Sequence, residues 1–332
     1  MTCPSSFSSR ALGLVALALI PLLPVTASAQ AAAPAVPELR ADSCSVEGLM
    51  DSIRRGLSSK SPAYRKYLRT LLRESAVTLP DAELRAAFER ETDPAMVEHL
   101  AAALVARTER GADPAAMGVV AKRIQEERDP ALRIASLRAL RRTSATENTG
   151  DLYERLARDA SPEVRQEAAT NLIEDNQFVY SGHHGPAADA AVGAAAASTD
   201  PKVTARILDN VSTEHISPES ADRLKSLLRS DDASVRAAAA NALGGVPSEQ
   251  MASSREALLG MYRDEQDLGV RKMLLRSIAQ LGFAGAIPDL QRLRGVDPRL
   301  VPEVDAWIRA LGMGLQEWSL ILREKQRLQQ AP

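Results

Sequence analysis

Ser161-Pro162-Glu163-Val164-Arg165-Gln166-Glu167-Ala168-Ala169-Thr170-Asn171-Leu172 is the stretch that decides the fold. Ser161 can accept hydrogen bonds from the open N–H groups of a first helical turn. Pro162 takes the first helical position, where its missing N–H costs nothing. Val164, Ala168 and Leu172 then fall at i, i+4 and i+8, one stripe of a helix. Upstream, Leu152, Leu156 and Ala157 share a face of another helix, which Asp159-Ala160 breaks. The segment reads as helix, tight turn, helix.

The same start signal stands at Ser61, Asp93, Asp129, Ser161, Asp200, Asp232, Asp267 and Asp297. Three residues after each comes an apolar side chain: Tyr64, Met96, Leu132, Val164, Val203, Val235, Val270 and Leu300. Eleven residues after each comes another: Leu72, Leu104, Leu140, Leu172, Val211, Leu243, Ile278 and Ile308. The spacings are 32, 36, 32, 39, 32, 35 and 30 residues, a period that marks a stacked repeat. Of the stripe positions at +3, +7 and +11, Ser136 alone is polar. First helices are expected over Val46–Leu57, Asp81–Glu91, Pro114–Glu127, Thr149–Arg158, Pro186–Ser198, Pro218–Arg229, Ser254–Asp264 and Ala286–Arg294. Aromatics are 3% of the chain, and no long stretch alternates apolar and polar residues, so the class is all-α.

At +4 an arginine recurs: Arg65, Arg133, Arg165, Arg236 and Arg271. Here the sequence resembles the HEAT-repeat family, including its bacterial HEAT-like group, in which Asp-x-x-Val-Arg-x-x-Ala-x-x-x-Leu opens the second helix. Asp232-Ala233-Ser234-Val235-Arg236 with Ala239 and Leu243 carries the likeness as clearly as the Ser161 segment. The resemblance covers residues 45–312. It implies a right-handed α-solenoid of about eight helix-turn-helix repeats. It further implies an interior ladder that bridges neighbouring repeats, formed by Asp129, Asp200, Asp232 and Asp267 with Arg133, Arg165, Arg236 and Arg271. Val97, Thr204 and Val301 should interrupt that ladder.

Residues 313–332 contain Leu315, Trp318, Ile321, Leu322 and Leu328 on one apolar face, the closing helix that a solenoid needs to seal its last repeat. Trp307 and Trp318 are expected to anchor that cap. Ala194–Ala197 and Ala237–Ala240 let helices approach closely but bury little area each.

The N-terminus reads differently. Residues 11–25 are apolar behind Arg10, and Ala27 and Ala29 stand where a signal peptidase requires small residues, so residues 1–29 are expected to be a cleaved secretory signal. A retained anchor is the rival reading. The run falls short of about 20 residues and contains Pro21 and Pro24. Residues 30–44 form an Ala/Pro-rich linker, and the location is periplasmic or secreted. Loss of the signal leaves 40 basic against 43 acidic residues, a net charge of −3. That balance offers no long-range attraction for phosphate backbones, which argues against nucleic acid as partner. Cys44 alone remains in the mature chain, so no internal disulfide forms and packing must supply the stability.

Little in the sequence carries chemistry. There is no Gly-x-Ser-x-Gly elbow, no His-Glu-x-x-His and no Gly-rich phosphate loop. The deoxyhypusine hydroxylases, which resemble such arrays, carry paired His-Glu ligands. Here the two types adjoin only as Glu98-His99 and Glu214-His215. His99 should be a partly buried surface residue, and His215 exposed. The long gap between Ser161 and Asp200 holds a loop with Tyr180, His183, His184 and Gly185. Insertions in repeats map to loops, often on a binding face. His183 and His184 are weak metal candidates, and a metal-dependent or enzymatic site at 180–185 is the rival reading. The leading expectation is an exported, monomeric, non-catalytic scaffold without cofactor. It would bind a protein or peptide on the concave face that second helices line, with Arg138, Arg141, Arg206, Tyr180, His183 and His184 as contact candidates.

Overall fold

The computed structural model describes residues 46–75, 80–143, 149–178 and 185–330, and all of them fall in the unit that begins at Leu39. No strand occurs among them. The expected signal, the linker and Cys44 lie outside the described residues, as do Tyr180, His183 and His184.

The helices come in consecutive pairs. They are α1 (Val46–Leu57) with α2 (Pro62–Ser75), α3 (Asp81–Arg90) with α4 (Pro94–Glu109), α5 (Ala116–Glu126) with α6 (Pro130–Arg138), and α7 (Gly150–Leu156) with α8 (Pro162–Phe178). Then follow α9 (Gly185–Ala197) with α10 (Pro201–Leu208), α11 (Pro218–Leu227) with α12 (Ala233–Leu243), α13 (Ser248–Asp264) with α14 (Leu268–Gly282), and α15 (Ile287–Leu293) with α16 (Val301–Gly312). A final helix, α17 (Trp318–Gln330), packs on α16. Second helices stack in series, α2 on α4, α4 on α6, and so on to α16. The first helices form a second, looser row, in which α7 and α9 pack most extensively.

Every start residue caps its helix. Asp93 accepts from Ala95 N at 2.9 Å, Asp129 from Ala131 N at 2.8 Å and Asp200 from Lys202 N at 3.0 Å. Ser61 and Ser161 each accept from the third residue on, Tyr64 and Val164, at 3.3 Å. Asp232 and Asp267 lack the following proline and take two N–H groups each, including those of Val235 and Val270. Asp297 accepts from Arg299 N at 3.0 Å. A cap of this kind contributes about 1 kcal/mol.

A second periodic device holds the turns. The side chain two residues before the cap accepts the cap's own N–H: Ser59 for Ser61, Glu91 for Asp93, Glu127 for Asp129, Asp159 for Ser161, Ser198 for Asp200, Ser230 for Asp232 and Glu265 for Asp267. Gly295 breaks the series before Asp297. There the turn tightens into a 3-10 segment, Pro298–Leu300, before α16 begins. Three residues per turn rotate the following stripe. Trp307 and Leu311 are buried with Val304, while Ile308, a stripe position by sequence, is half-buried.

Most other stripe positions form the core, with Tyr64 and Val211 half-buried at the ends of their stripes. Met96, Leu100 and Leu104, then Val164, Ala168 and Leu172, then Val270, Leu274 and Ile278 are all buried. Ser136, the polar exception, is buried as well and returns its hydroxyl to Leu132 O at 3.0 Å. One boundary differs from expectation: α13 starts at Ser248, behind Pro247, and not at Ser254. Ser254 is buried in the middle of that helix. At the C-terminal end Trp307 is buried and stacks on Trp318 at 5.5 Å with rings nearly parallel. Phe283 meets Trp318 edge-on at 6.1 Å. Lys325 of α17 lies over the Trp307 ring at 4.9 Å and pairs with Glu303 at 2.5 Å. The two tryptophans thus join α17 to the core.

Candidate functional site

The arginine row ties repeat to repeat. Arg133 pairs with Asp159, Arg165 with Asp200 at 3.4 Å, Arg236 with Glu265 at 2.6 Å, and Arg271 with Asp297 at 2.7 Å. Each bond runs from one second helix to the turn that starts the next. The acids are only partly those expected. Asp200 serves as cap and as rung. Asp129, Asp232 and Asp267 serve their own helices as caps, and the acid two residues before a cap, Asp159 or Glu265, takes the arginine. Where the residue two before the cap is an acid, as at Asp159 and Glu265, that acid meets the arginine; where it is Ser198 or Gly295, the cap itself does, Asp200 and Asp297 capping with Oδ1 and taking the arginine on Oδ2. Burial works against the charge of Glu265, but hydrogen bonds from Arg236 and from two backbone N–H groups outweigh it and hold the carboxyl below its ordinary value. Thr204 stands where an arginine is missing and donates to Ala195 O at 3.0 Å. Val97 is simply buried. These residues serve the stack.

The second-helix face beside this ladder carries a concavity. A cleft of about 330 Å³ lies over α2, α4 and the end of α6. Ala102, Val105, Ala106 and Ala139 give it an apolar floor, and Arg69, Arg138, Arg141 and Arg142 ring it. Arg138 and Arg141 are two of the sequence-derived contact candidates, and the fold brings both to this rim. Arg141 donates to Asn171 Oδ1 at 3.0 Å and pairs with Glu167 and Glu174 of α8. Arg138 shares Glu167 at 3.2 Å, and Arg142 shares Glu174 at 3.1 Å. Three guanidinium groups are therefore held in place by two carboxylates. Arg206, the remaining candidate, lies apart on α10, where it binds Gln166 Oε1 at 2.8 Å and Thr170 Oγ1 at 2.9 Å.

Two features of the cleft are costly to the fold. His99 is buried, against the expectation of a partly exposed residue, and its Nε2 has no hydrogen-bond partner. Its place on α4 faces α2 and α6 at once, which a single helix pattern cannot show. Burial first, and then the nearby Arg69, push its pKa down to about 4. The second feature is Arg142, a non-glycine residue with φ of 60° at the end of the α6 segment. Its N–H donates to the buried Asp175 of α8, which pins the left-handed turn. Strain and unsatisfied polar groups cost about 1–3 kcal/mol each and gather at functional positions. No single-helix pattern assigns Arg69, His99 or Arg142 to this cleft. The acceptor two residues before a cap is by contrast a periodic signal visible in the chain, broken only at Gly295.

Other concavities are less provided for. A groove of about 510 Å³ on the first-helix side runs past Lys122 and Arg123, and these pair with Glu126 and Glu127 along their own helix. His215 is exposed. The 180–185 loop lies outside the described residues, save for Gly185 at the start of α9. Among the described residues no cluster of three or more His, Cys, Asp or Glu could hold a metal, and no helix is long and apolar enough to cross a membrane.

Residues 189–279 and 221–312 match the family of HEAT repeats. No curated protein sequence matches the chain. Among solved structures it is similar to YibA of Escherichia coli, with 13% identity and a TM-score of 0.40 over 85% of this chain and 92% of that one. Human deoxyhypusine hydroxylase, solved in complex with glycerol, aligns at 16% identity and a TM-score of 0.30 over 84% of this chain and 96% of that one. Kap121p aligns at 14% identity and a TM-score of 0.36, over 86% of this chain and 40% of its own.

Proposed function

We propose that this HEAT-repeat protein is an exported, non-catalytic scaffold that binds a protein or peptide partner along its second-helix face. The observation that carries the reading is the α2–α4–α6 cleft. Other buried polar atoms without a partner, such as Ser254 Oγ, Tyr262 Oη and Ser277 Oγ, lie inside the stack, whereas this cleft sets an unpartnered imidazole beside a strained arginine and an apolar floor. Stacked second helices present a long row of side chains with fixed spacing, which suits extended contact with a chain more than enclosure of a small molecule.

The reading is tested with a random peptide display library panned against the purified chain. Selected peptides should bind wild-type protein and lose affinity on Arg141→Glu, while Lys122→Glu on the first-helix side leaves binding unchanged. Equal loss from both variants, or no enrichment at all, would reject a second-helix interface. Export is tested separately, by fractionating cells of the source and measuring the N-terminus of the mature chain. Cleavage after Ala29 and recovery outside the cytoplasm are expected.

A further inference from the structure

We infer that the junction between α6 and α8 is an electrostatic joint, at which ionic strength sets how the repeats before it sit against the repeats after it. The property belongs to the free chain and goes beyond the scaffold reading.

Helix length creates the joint. α6 ends at Arg138 and the chain continues as turns, whereas α8 runs on to Phe178. The first turns of α8 have α6 to pack on, but its later turns are met by the turn that follows α6, and they are met with charge. Arg141 of that turn donates to Asn171 Oδ1 and pairs with Glu167 and Glu174. Arg138 shares Glu167, Arg142 shares Glu174, and the Arg142 N–H donates to Asp175. Below them the Arg133–Asp159 rung adds its own pair.

The other junctions are built differently. α10 is shorter still, yet its contact with α8 is completed by neutral acceptors. Arg206 binds Gln166 and Thr170, the Ser212 N–H donates to Asn176 Oδ1 at 2.9 Å, and Gln177 donates to Asn210 O at 3.2 Å. The α8–α10, α12–α14 and α14–α16 contacts each hold a single ion pair among the described residues, Arg165–Asp200, Arg236–Glu265 and Arg271–Asp297. Only between α6 and α8 do several pairs share carboxylates.

Dissolved ions reach this network. Arg138 and Arg142 are about half exposed, at 48% and 55%, and Arg141, Glu167 and Glu174 are partly so. The screening length falls from about 10 Å at 0.1 M salt to about 3 Å at 1 M, the length of the bonds themselves. Apolar contacts lack this dependence, because salt acts on them through hydration and not through screening. In a stack each interface contributes its own nearest-neighbour term, so one junction can loosen while the rest hold. The first-helix row does not brace it, since α5 and α7 barely touch.

The experiment uses the full chain with its native cysteines replaced by serine and dye pairs on exposed positions. One pair, Lys66→Cys with Glu219→Cys, spans the joint; the other, Glu219→Cys with Gln326→Cys, lies wholly after it. Between low salt and 1 M sodium chloride the energy transfer of the first pair should shift and that of the second should stay. Glu167→Gln with Glu174→Gln should give the first pair its high-salt value already at low salt. Should that variant lose its helical spectrum, Arg138→Gln at an exposed position takes its place and should remove part of the salt response. An equal shift in both pairs, no shift in either, or a full salt response in the carboxylate variant would overturn the inference.

Discussion

Arg223 of α11 donates to Glu154 of α7 at 2.7 Å, 69 residues away in sequence, and the bond passes over Gly193 of the helix between them. A Cβ on Gly193 would lie 2.5 Å from Glu154 Oε1 and 2.7 Å from Arg223 Nη1. The glycine makes a saddle through which two non-adjacent repeats touch. Both clashing atoms are ends of flexible side chains, so they can swing away. Gly193→Ala should therefore break the bond, yet change stability by no more than about 1 kcal/mol, since helix propensity rises as an exposed pair is lost. Urea unfolding of Gly193→Ala and Arg223→Ala checks this. A loss well above that size in either variant would mean that the bridge is structurally essential.

The ladder should weigh unevenly. Arg271 and Asp297 are both nearly inaccessible, and Arg271 also lies 5.5 Å over the Tyr262 ring. Arg271→Leu leaves Asp297 buried with Arg299 as its remaining guanidinium, and should cost about 3 kcal/mol. Arg294→Ala breaks a pair with Asp305 of the same short distance, 2.7 Å, but in solvent, and should cost less than about 1 kcal/mol. Chemical denaturation of the two variants side by side reads the difference.

His99 makes stability fall in mild acid. Its folded pKa of about 4 lies below the ordinary value of 6.5, so the unfolded chain takes up the proton first. The contribution of the neutral buried imidazole is complete above pH 6.5 and is lost as pH falls toward 4. The span corresponds to roughly 3 kcal/mol at most. Denaturation midpoints measured across that range should drop, and His99→Gln should flatten the part of the slope owed to this group. An unchanged slope would contradict the burial argument.

Arg142 carries backbone strain that a glycine would not. Arg142→Gly relieves a left-handed residue and gives up one exposed ion pair, so the variant should melt at the same temperature or higher, by up to about 1 kcal/mol. It should also bind peptides selected on the second-helix face less well, because the guanidinium at the cleft rim is gone. Calorimetry and anisotropy on one preparation separate the two effects.

Trp307 is the largest buried contact of the closing helix. Trp307 is buried and contacts both Trp318 and Lys325. Trp307→Ala should cost about 3–5 kcal/mol and release α17 before the rest of the stack. Hydrogen exchange should show protection lost first in Trp318–Gln330.

Caps, stripes and helix pairs were determined by the sequence alone, because each is a local decision. Whether a serine or aspartate accepts from the next turn depends on a few neighbouring residues, and an apolar stripe follows from the helical period. The 3-10 turn at Pro298–Leu300 and the early start of α13 shifted registers by a few residues, within the same local logic. Partner choice across repeats was decided only by the tertiary structure. Arg236 could meet Asp267 or Glu265, and the distances that select Glu265 exist only when two repeats are stacked. The cleft is more distant still from the sequence. Arg69, His99 and Arg142 belong to three different repeats, and nothing within any one of them fixes where the other two stand. Periodicity tells which residues face inward, but burial of His99 and the field of Arg69 upon it arise from three helices meeting, and Coulomb energy depends on those distances and not on sequence spacing.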